Sequence, residues 1–527
     1  MNDVMPIKKN RRWLRRILLV LFLAIVGLAT FMFWPMGPIV LGPDTTVLTG
    51  PLNPDGTVNY VQALNDEYSK GVTPENNAAV LIAQAAGIGT PSWRSVDEID
   101  PRSWALLGIE PPPEKGDYFI SIEALPIPPT TQPRESASLN EIKVKKQRQE
   151  DKNAATTRPW TEDRYPIVAE WLRKNEKPLA LLVEASKRPR FFWPIVSRSN
   201  PPKMIDGMFS SPNWPLSRMA EALRARATLL LGQGKVELAW QDIMTNYRLA
   251  RLAGQGPMIL DKIVGAALDR EASGIGQRLV AAKRLTVDQA RGMLRELEKL
   301  QTPCDLVEAL DKSERYQFLD CVAVTYREPY FGVSFGGKNE LAPQTNRIII
   351  GSIDWNQILR EANRFFDNVV AVSRQPWAVR QKVDRGAIGE IYARIENNGE
   401  LTGVFHPTQA FGNHLFAILA PALTQACVQV DMTEMNRHLL AVALTLAAYR
   451  ADHGNYPDIL DSLVPDYLKT IPKDIFTEDS PLIYQREGAG YRLYSVGQNG
   501  KDDGGVMDPG PSHTLPYKDD IVVKVEK

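Results

Sequence analysis

Eighteen consecutive uncharged residues, ILLVLFLAIVGLATFMFW at positions 17–34, follow a stub carrying Lys8, Lys9, Arg11, Arg12, Arg15 and Arg16 against Asp3. As a helix rising about 1.5 Å per residue, the run reaches about 27 Å, enough for a thin hydrocarbon core. Trp13 and Trp34 bracket it where amphipathic rings settle at membrane interfaces, and Pro35, Gly37 and Pro38 stop it just outside. The pattern predicts a single transmembrane signal anchor in the inner (cytoplasmic) membrane. A cleaved signal peptide shares the order of basic then apolar residues. Its apolar core is shorter, about 7 to 15 residues, and ends at an A-x-A-like site, which Ala29, Thr30 and Phe31 do not supply. The positive-inside rule keeps the basic stub, residues 1–16, in the cytoplasm and places residues 36–527 on the extracytoplasmic, periplasmic side.

The rest of the 527 residues must fold in water, since 44% hydrophobic and 24% charged residues are ordinary globular proportions. That length predicts several folding units. Lys plus Arg equals Asp plus Glu at 62 each, so no basic surplus argues for a nucleic-acid partner. Cys304, Cys321 and Cys427 are an odd set without C-x-x-C spacing; Cys304 and Cys321 can pair in an oxidising compartment or persist as buried thiols. Five scattered histidines form no zinc spacing.

The fold class expected is multidomain and mainly α: an N-terminal transmembrane helix, a helical central body, and a C-terminal α+β domain with a small antiparallel sheet. Residues 36–125 form an N-terminal extracytoplasmic region whose Pro- and Gly-rich start, 36–57, reads as a spacer. Thr73-Pro74-Glu75 resembles a helix start, with Thr73 as N-cap of a run to Ala86. Residues 126–160, beginning PIPPTTQPRESAS and continuing KVKKQRQEDKN, read as a polar linker. The central domain spans 161–430. Leu216, Met219, Ala220, Leu223, Ala227 and Leu230 recur at steps of three and four, Gly232-Gln-Gly234 breaks the run, and Val236, Ala239, Trp240, Ile243 and Tyr247 begin another. This antiparallel hairpin is similar to a tetratricopeptide-type unit, without a second copy at a 34-residue period. Arg224, Arg226, Arg248 and Arg251 are expected on its solvated face, and Gly274-Ile-Gly276 is weak as a phosphate signal because it sits in a helical pattern. Further helices are expected at 354–371 and 377–397. Residues 401–430 hold no Asp, Glu, Lys or Arg, yet Pro407, Asn413, His414, Pro421, Gln425 and Gln429 favour a buried or interfacial helix over a second span.

From residue 431 onward an α-to-β module is legible. Met435, Leu439, Val442, Leu446 and Tyr449 form one face of a helix ending near His453-Gly454, and strands follow around the Gly488-Ala-Gly490 turn and Ile521-Val522-Val523. Tyr449, Asp452 and Gly454, then Asn455-Tyr456-Pro457, Leu463-Val464-Pro465, Tyr467-Leu468, Pro472, Asp474 and Tyr491 through Gly497 together resemble the globular region of the type II secretion major pseudopilin. The resemblance covers roughly 435–525. It implies a helix with a short sheet and a calcium-stabilised loop near the end. RRWLRRILLVLFL lacks the prepilin cleavage sequence, and the module sits about 400 residues from the membrane helix, unlike that family.

Independently, Asp502, Asp503, Asp508, Asp519 and Asp520 place hard oxygen ligands in two neighbouring segments, which makes calcium chemically reasonable. An EF-hand starting at Asn499 fails because its third position would be Lys501. The expected function is a membrane-anchored extracytoplasmic scaffold or interaction protein, with protein partners among secretion or pilus-like assembly subunits. The alternative is an extracytoplasmic hydrolase using Glu170, Glu184, Glu221, Glu237 and Asp242, or His406, His414 and His438 gathered in space. No spacing among these selects an acid/base pair, and no catalytic motif is present.

Overall fold

The computed structural model describes residues 19–23, 26–27, 37–87, 89–91, 96–127, 134–207, 213–282, 285–303, 305–328, 353–382, 407–508 and 518–526. Helices dominate: α1 Tyr60–Tyr68, α2 Ala78–Ala86, α3 Pro101–Leu107, α4 Arg134–Ala155, α5 Pro166–Lys174, α6 Glu176–Ala185, α7 Asn213–Gly232, α8 Val236–Ala253, α9 Ile259–Ala281, α10 Val287–Glu298, α11 Arg315–Arg327, α12 Trp355–Ser373 and α13 Pro407–His453. Strands are short: β1 Gly89–Pro91 pairs with β2 Val96–Glu98, β3 Ile483–Glu487, β4 Gly490–Ser495 and β7 Ile521–Val525 form an antiparallel sheet in the order β3-β4-β7, and β5 Met507–Asp508 pairs with β6 Lys518–Asp519. Among the described residues no helix is long and apolar enough to cross a membrane. Of the expected anchor only 19–23 and 26–27 are described, and they are helical. Of the uncharged 401–430 stretch, residues 407–430 lie within α13, and 401–406 fall outside the described residues.

The chain divides into two compact units, one of Met1–Val58, Phe318–Phe365 and Gly386–Pro421, the other of Asn59–Gln317, Phe366–Arg385 and Ala422–Lys527. In the first, the expected spacer is tied down. Asn363 Nδ2 donates to the carbonyls of Asp44 (3.0 Å) and Thr45 (2.8 Å), and Arg327 donates to Thr57 Oγ1 (2.8 Å) and pairs with Asp55 (3.2 Å). A Pro- and Gly-rich composition weakens regular structure, but side chains elsewhere can still satisfy its backbone.

In the second unit the α7–α8 hairpin forms where the periodicity places it, turning at Gly234 with φ +75°. Gly232 is required by packing, because a Cβ there would meet the Trp160 carbonyl oxygen at 1.9 Å. The helix near 73–86 starts later than expected. Asn77, not Thr73, is the N-cap; it accepts from Ala79 N (3.1 Å) and Phe192 N (2.9 Å) and donates to the Phe192 carbonyl (2.9 Å), so a distant strand-like segment fixes the start. Residues 134–155, expected as linker, are helix α4. Arg148 donates to the Leu125 carbonyl (2.7 Å), and Lys152 pairs with Glu221 (2.8 Å) and Glu123 (3.9 Å), burying two cations that composition alone assigns to solvent.

The arginines expected on a solvated face are also mostly internal. Arg226 forks onto Asp242, Arg251 pairs with the buried Asp269, and Arg224 pairs with Glu271; only Arg248 is exposed. Helical periodicity reports apolar faces and is blind to a partner on the next helix.

The C-terminal module is not a free-standing domain. One hydrophobic core runs from Trp240, Ile243 and Tyr247 of α8, through Ile275 and Leu279 of α9 and Met293 and Leu297 of α10, to Leu439, Val442 and Leu446 of α13 and Tyr491, Leu493, Val523 and Val525 of the sheet. Gly276, weak as a phosphate signal, has a packing role: a Cβ there would lie 2.7 Å from Leu440 Cδ2. Gly276→Val is expected to cost about 1–3 kcal/mol through overpacking, read as a lower urea midpoint at unchanged slope.

Candidate functional site

The acidic loop is positioned by the sheet. Turn residues Gly488-Ala489-Gly490 let β3 pair with β4, and β4 pairs with β7 in a register that sets Ser495 opposite Ile521. Asp474, 2% exposed, clamps the end of β4 by accepting from Ser495 Oγ (2.8 Å), Val496 N (2.9 Å) and Phe476 N (3.0 Å). The chain then turns at Gly497, whose φ is +64° and whose Cβ direction is occupied by the Asp519 carbonyl oxygen at 2.2 Å, so a side chain is excluded twice over. Left-handed Gly500, Gly504 and Gly505 curl the loop back toward residues 519 and 520.

Three of the five sequence-derived ligands converge there. Asp503 Oδ2 accepts from Asn499 Nδ2 (2.8 Å) and Asp519 N (3.4 Å); Asp519 Oδ2 accepts from Asn499 N (3.0 Å); Asp520 Oδ2 accepts from Asp503 N (3.1 Å) and Gly505 N (2.7 Å). Asp519 and Asp520 are 7% and 0% exposed, and each keeps a second buried oxygen, Oδ1, with no hydrogen-bond partner among the described residues. Burial, first, and the neighbouring Asp503 charge push both carboxyls above the usual range against the pull of backbone N–H groups. Asp502 turns elsewhere, accepting from Tyr494 OH (3.0 Å) and Gly504 N (2.8 Å). Asp508 lies in β5, and its side chain falls outside the described residues.

Two adjacent buried carboxylates with unpartnered oxygens fit a hard cation, which takes oxygen donors and accepts backbone carbonyls to complete about six to eight contacts. Among the described residues no group of three or more His, Cys, Asp or Glu encloses a metal-sized point, so Asp503, Asp519 and Asp520 would need backbone or water oxygens to close the sphere. Removing one charge relieves repulsion. In chelator, Asp520→Asn is therefore expected to melt at or above the parent chain, while losing any stabilisation by calcium.

The hydrolase candidates are not drawn together. Glu221 pairs with Lys152, Asp242 with Arg226, Glu170 with Lys174 and Glu184 with Lys187, while Glu237 accepts from Gln289. His406 lies outside the described residues, His414 and His438 fall about seven turns apart on α13, and His438 contacts Glu434 at 3.0 Å. Cys304 is likewise outside the described residues; Cys321 is partly exposed, its thiol pushed up by burial and then by Asp320, and Cys427 is buried with Sγ 3.5 Å from Ser373 Oγ.

No family model, curated protein or solved structure matches the chain.

Proposed function

We propose that the chain is an extracytoplasmic scaffold, anchored in the inner membrane by residues 17–34, whose C-terminal sheet carries a calcium-stabilised loop similar to that of the major pseudopilin and serves contacts within a secretion or pilus-like assembly. The observation that carries the anchor is the exposure of five consecutive apolar side chains, Leu19 through Leu23, at 52–65% on a helical segment. Five successive helical positions point around the whole circumference, so no single face is reserved for a protein core, as suits a lipid-facing helix. The unpartnered oxygens of Asp519 and Asp520 support the cation loop.

Membrane fractionation tests the anchor. The full chain is expected in the carbonate-resistant membrane fraction, and deletion of residues 17–34 should move it to the soluble one; a full chain extracted by carbonate contradicts the reading. In-cell crosslinking that recovers membrane-assembly subunits supports the scaffold, whereas recovery of soluble substrates alone counts against it.

A further inference from the structure

A cleft of about 710 Å³ opens in the second unit, away from the acidic loop. Four chain segments wall it: residues 302–303 with 305–307 before α11, 373–380 from the end of α12, 427–434 on α13, and 473–478 of the C-terminal module. Its volume lies within the range of about 300–1,000 Å³ usual for ligand sites. The charges around it cancel in pairs. Arg437 donates to both Glu434 oxygens and His438 adds a third contact at 3.0 Å, while Arg380 pairs with Asp431, Lys382 with Glu478 and Lys473 with Asp479. Asp305 caps Val307 N (2.8 Å), and Asp474 is consumed by Ser495 and backbone N–H groups. An ionic ligand would have to break one of these pairs, so hydrogen bonding, not net charge, decides what the cleft can hold.

The Arg380–Asp431 pair is the fixed point of this space. Arg380, 7% exposed, holds its guanidinium carbon 5.8 Å from the Trp377 ring centroid, and Trp377 is in turn held edge-on to Phe476, with centroids 5.4 Å apart. Pairing engages only part of each group. Asp431 accepts on Oδ2 alone, Arg380 donates from one terminal nitrogen, and Arg380 Nε has no partner among the described residues. An ionised carboxylate has about four acceptor sites and a guanidinium five donors, so spare acceptors and donors stand side by side. Gln375 adds an exposed amide and Thr302 an exposed hydroxyl, neither with a side-chain partner among the described residues. Val430, Trp377 and Ile475 supply apolar surface.

Adjacent donors and acceptors suit vicinal hydroxyls, because a hydroxyl both donates and accepts: one gives its proton to Asp431 while the next accepts from Arg380. A trans peptide group meets the pair badly, since its N–H and C=O point to opposite sides. We propose that this cleft binds a neutral oligosaccharide, with neighbouring hydroxyls of one ring on Arg380 and Asp431, flanking hydroxyls on Gln375 and Thr302, and the C–H face of the ring against Trp377 and Ile475. Because the ion pair and Trp377 already hold each other in place, little ordering is left for the ligand to impose. The cleft uses no residue of the membrane anchor or of the acidic loop, so it stands or falls separately from them.

The test is calorimetric titration of the full chain, solubilised in a detergent without a sugar headgroup, at about pH 8, above the value of about 6 to which burial pushes Asp431. The probes are maltotriose, cellotriose and triacetylchitotriose, with trigalacturonate as the anionic control and end-blocked Leu-Ser-Leu as the peptide control. At least one neutral trisaccharide is expected to bind about tenfold tighter than both controls, with an affinity that added salt leaves unchanged. Gln375→Ala and Thr302→Val should each melt like the parent and weaken that binding about threefold, and Asp431→Asn should weaken it about tenfold. No binding of any of the three trisaccharides at about 10 mM, equal binding of Leu-Ser-Leu, an affinity that falls with salt, or an affinity unchanged in both Gln375→Ala and Thr302→Val would overturn the proposal.

Discussion

A chain ending at Gly454 is expected to lose cooperative folding of its central helices, not merely its sheet. Tyr491, Leu493, Val523 and Val525 are at most 2% exposed, and they lie in one core with α8, α9, α10 and α13. Fully burying a large apolar side chain is worth about 1.5–3 kcal/mol, so these four alone account for roughly 6–12 kcal/mol. That equals the whole net stability of an ordinary domain, about 5–15 kcal/mol. Far-UV circular dichroism should show a broad, early melt of the truncated chain, and limited proteolysis should cut within α8–α10. A sharp transition at the parent temperature would mean the helical body owns its core after all. The converse experiment follows: residues 431–527 expressed alone should not melt cooperatively, since Leu440, which packs on Gly276 of α9, would face water.

The second large effect concerns pH. Glu314 is 7% exposed and accepts from Ile259 N (3.2 Å) at the start of α9; burial pushes its carboxyl up from 4.5 to about 7, with the Asp261 charge adding to the rise. A carboxyl raised in the fold contributes stability in full below its unfolded value and loses it as pH rises through its folded value. Between pH 4.5 and 7 the loss amounts to about 3 kcal/mol. Asp431 has the same sign, pushed from 3.8 to about 6 by burial against the pull of Arg380. Glu434 runs the other way; despite burial, His438 and Arg437 hold it down at about 2, so its contribution fades only in stronger acid, outside this window. Urea denaturation is therefore expected to give higher stability at pH 5 than at pH 8. Glu314→Gln should flatten the profile and exceed the parent at pH 8 by roughly 2 kcal/mol. Parallel profiles for the two chains would show that Glu314 ionises at no cost.

Much of this architecture is readable in the residues, and its failures share one cause. The α7–α8 hairpin, the apolar face of α13 and the β4 alternation through Tyr491, Leu493 and Ser495 are local periodicities, and local periodicity survives folding. Composition and periodicity place Arg148, Lys152, Arg226 and Arg251 in water because each meets its partner 16 to 69 residues away, Arg148 on a distant carbonyl. The same blindness separates 431–527 from the body: nothing in Leu440 announces Gly276. At the acidic loop, composition names five aspartates, but only the turn at Gly497 and the strand pairing decide that Asp503, Asp519 and Asp520 meet while Asp502 bonds to Tyr494. The cleft has no sequence signature, since its four walls are far apart along the chain.

The proposed cation site at Asp503, Asp519 and Asp520 is tested most directly by melting of the detergent-solubilised full chain in calcium, in magnesium and in chelator. A ligand that binds only the folded state at 100 times its dissociation constant adds about 2.7 kcal/mol. The expected result is a rise in melting temperature with calcium, a smaller one or none with magnesium, and loss of the calcium effect in Asp519→Asn and Asp520→Asn. Identical melting in calcium and chelator, or a rise that both variants retain, would contradict the account.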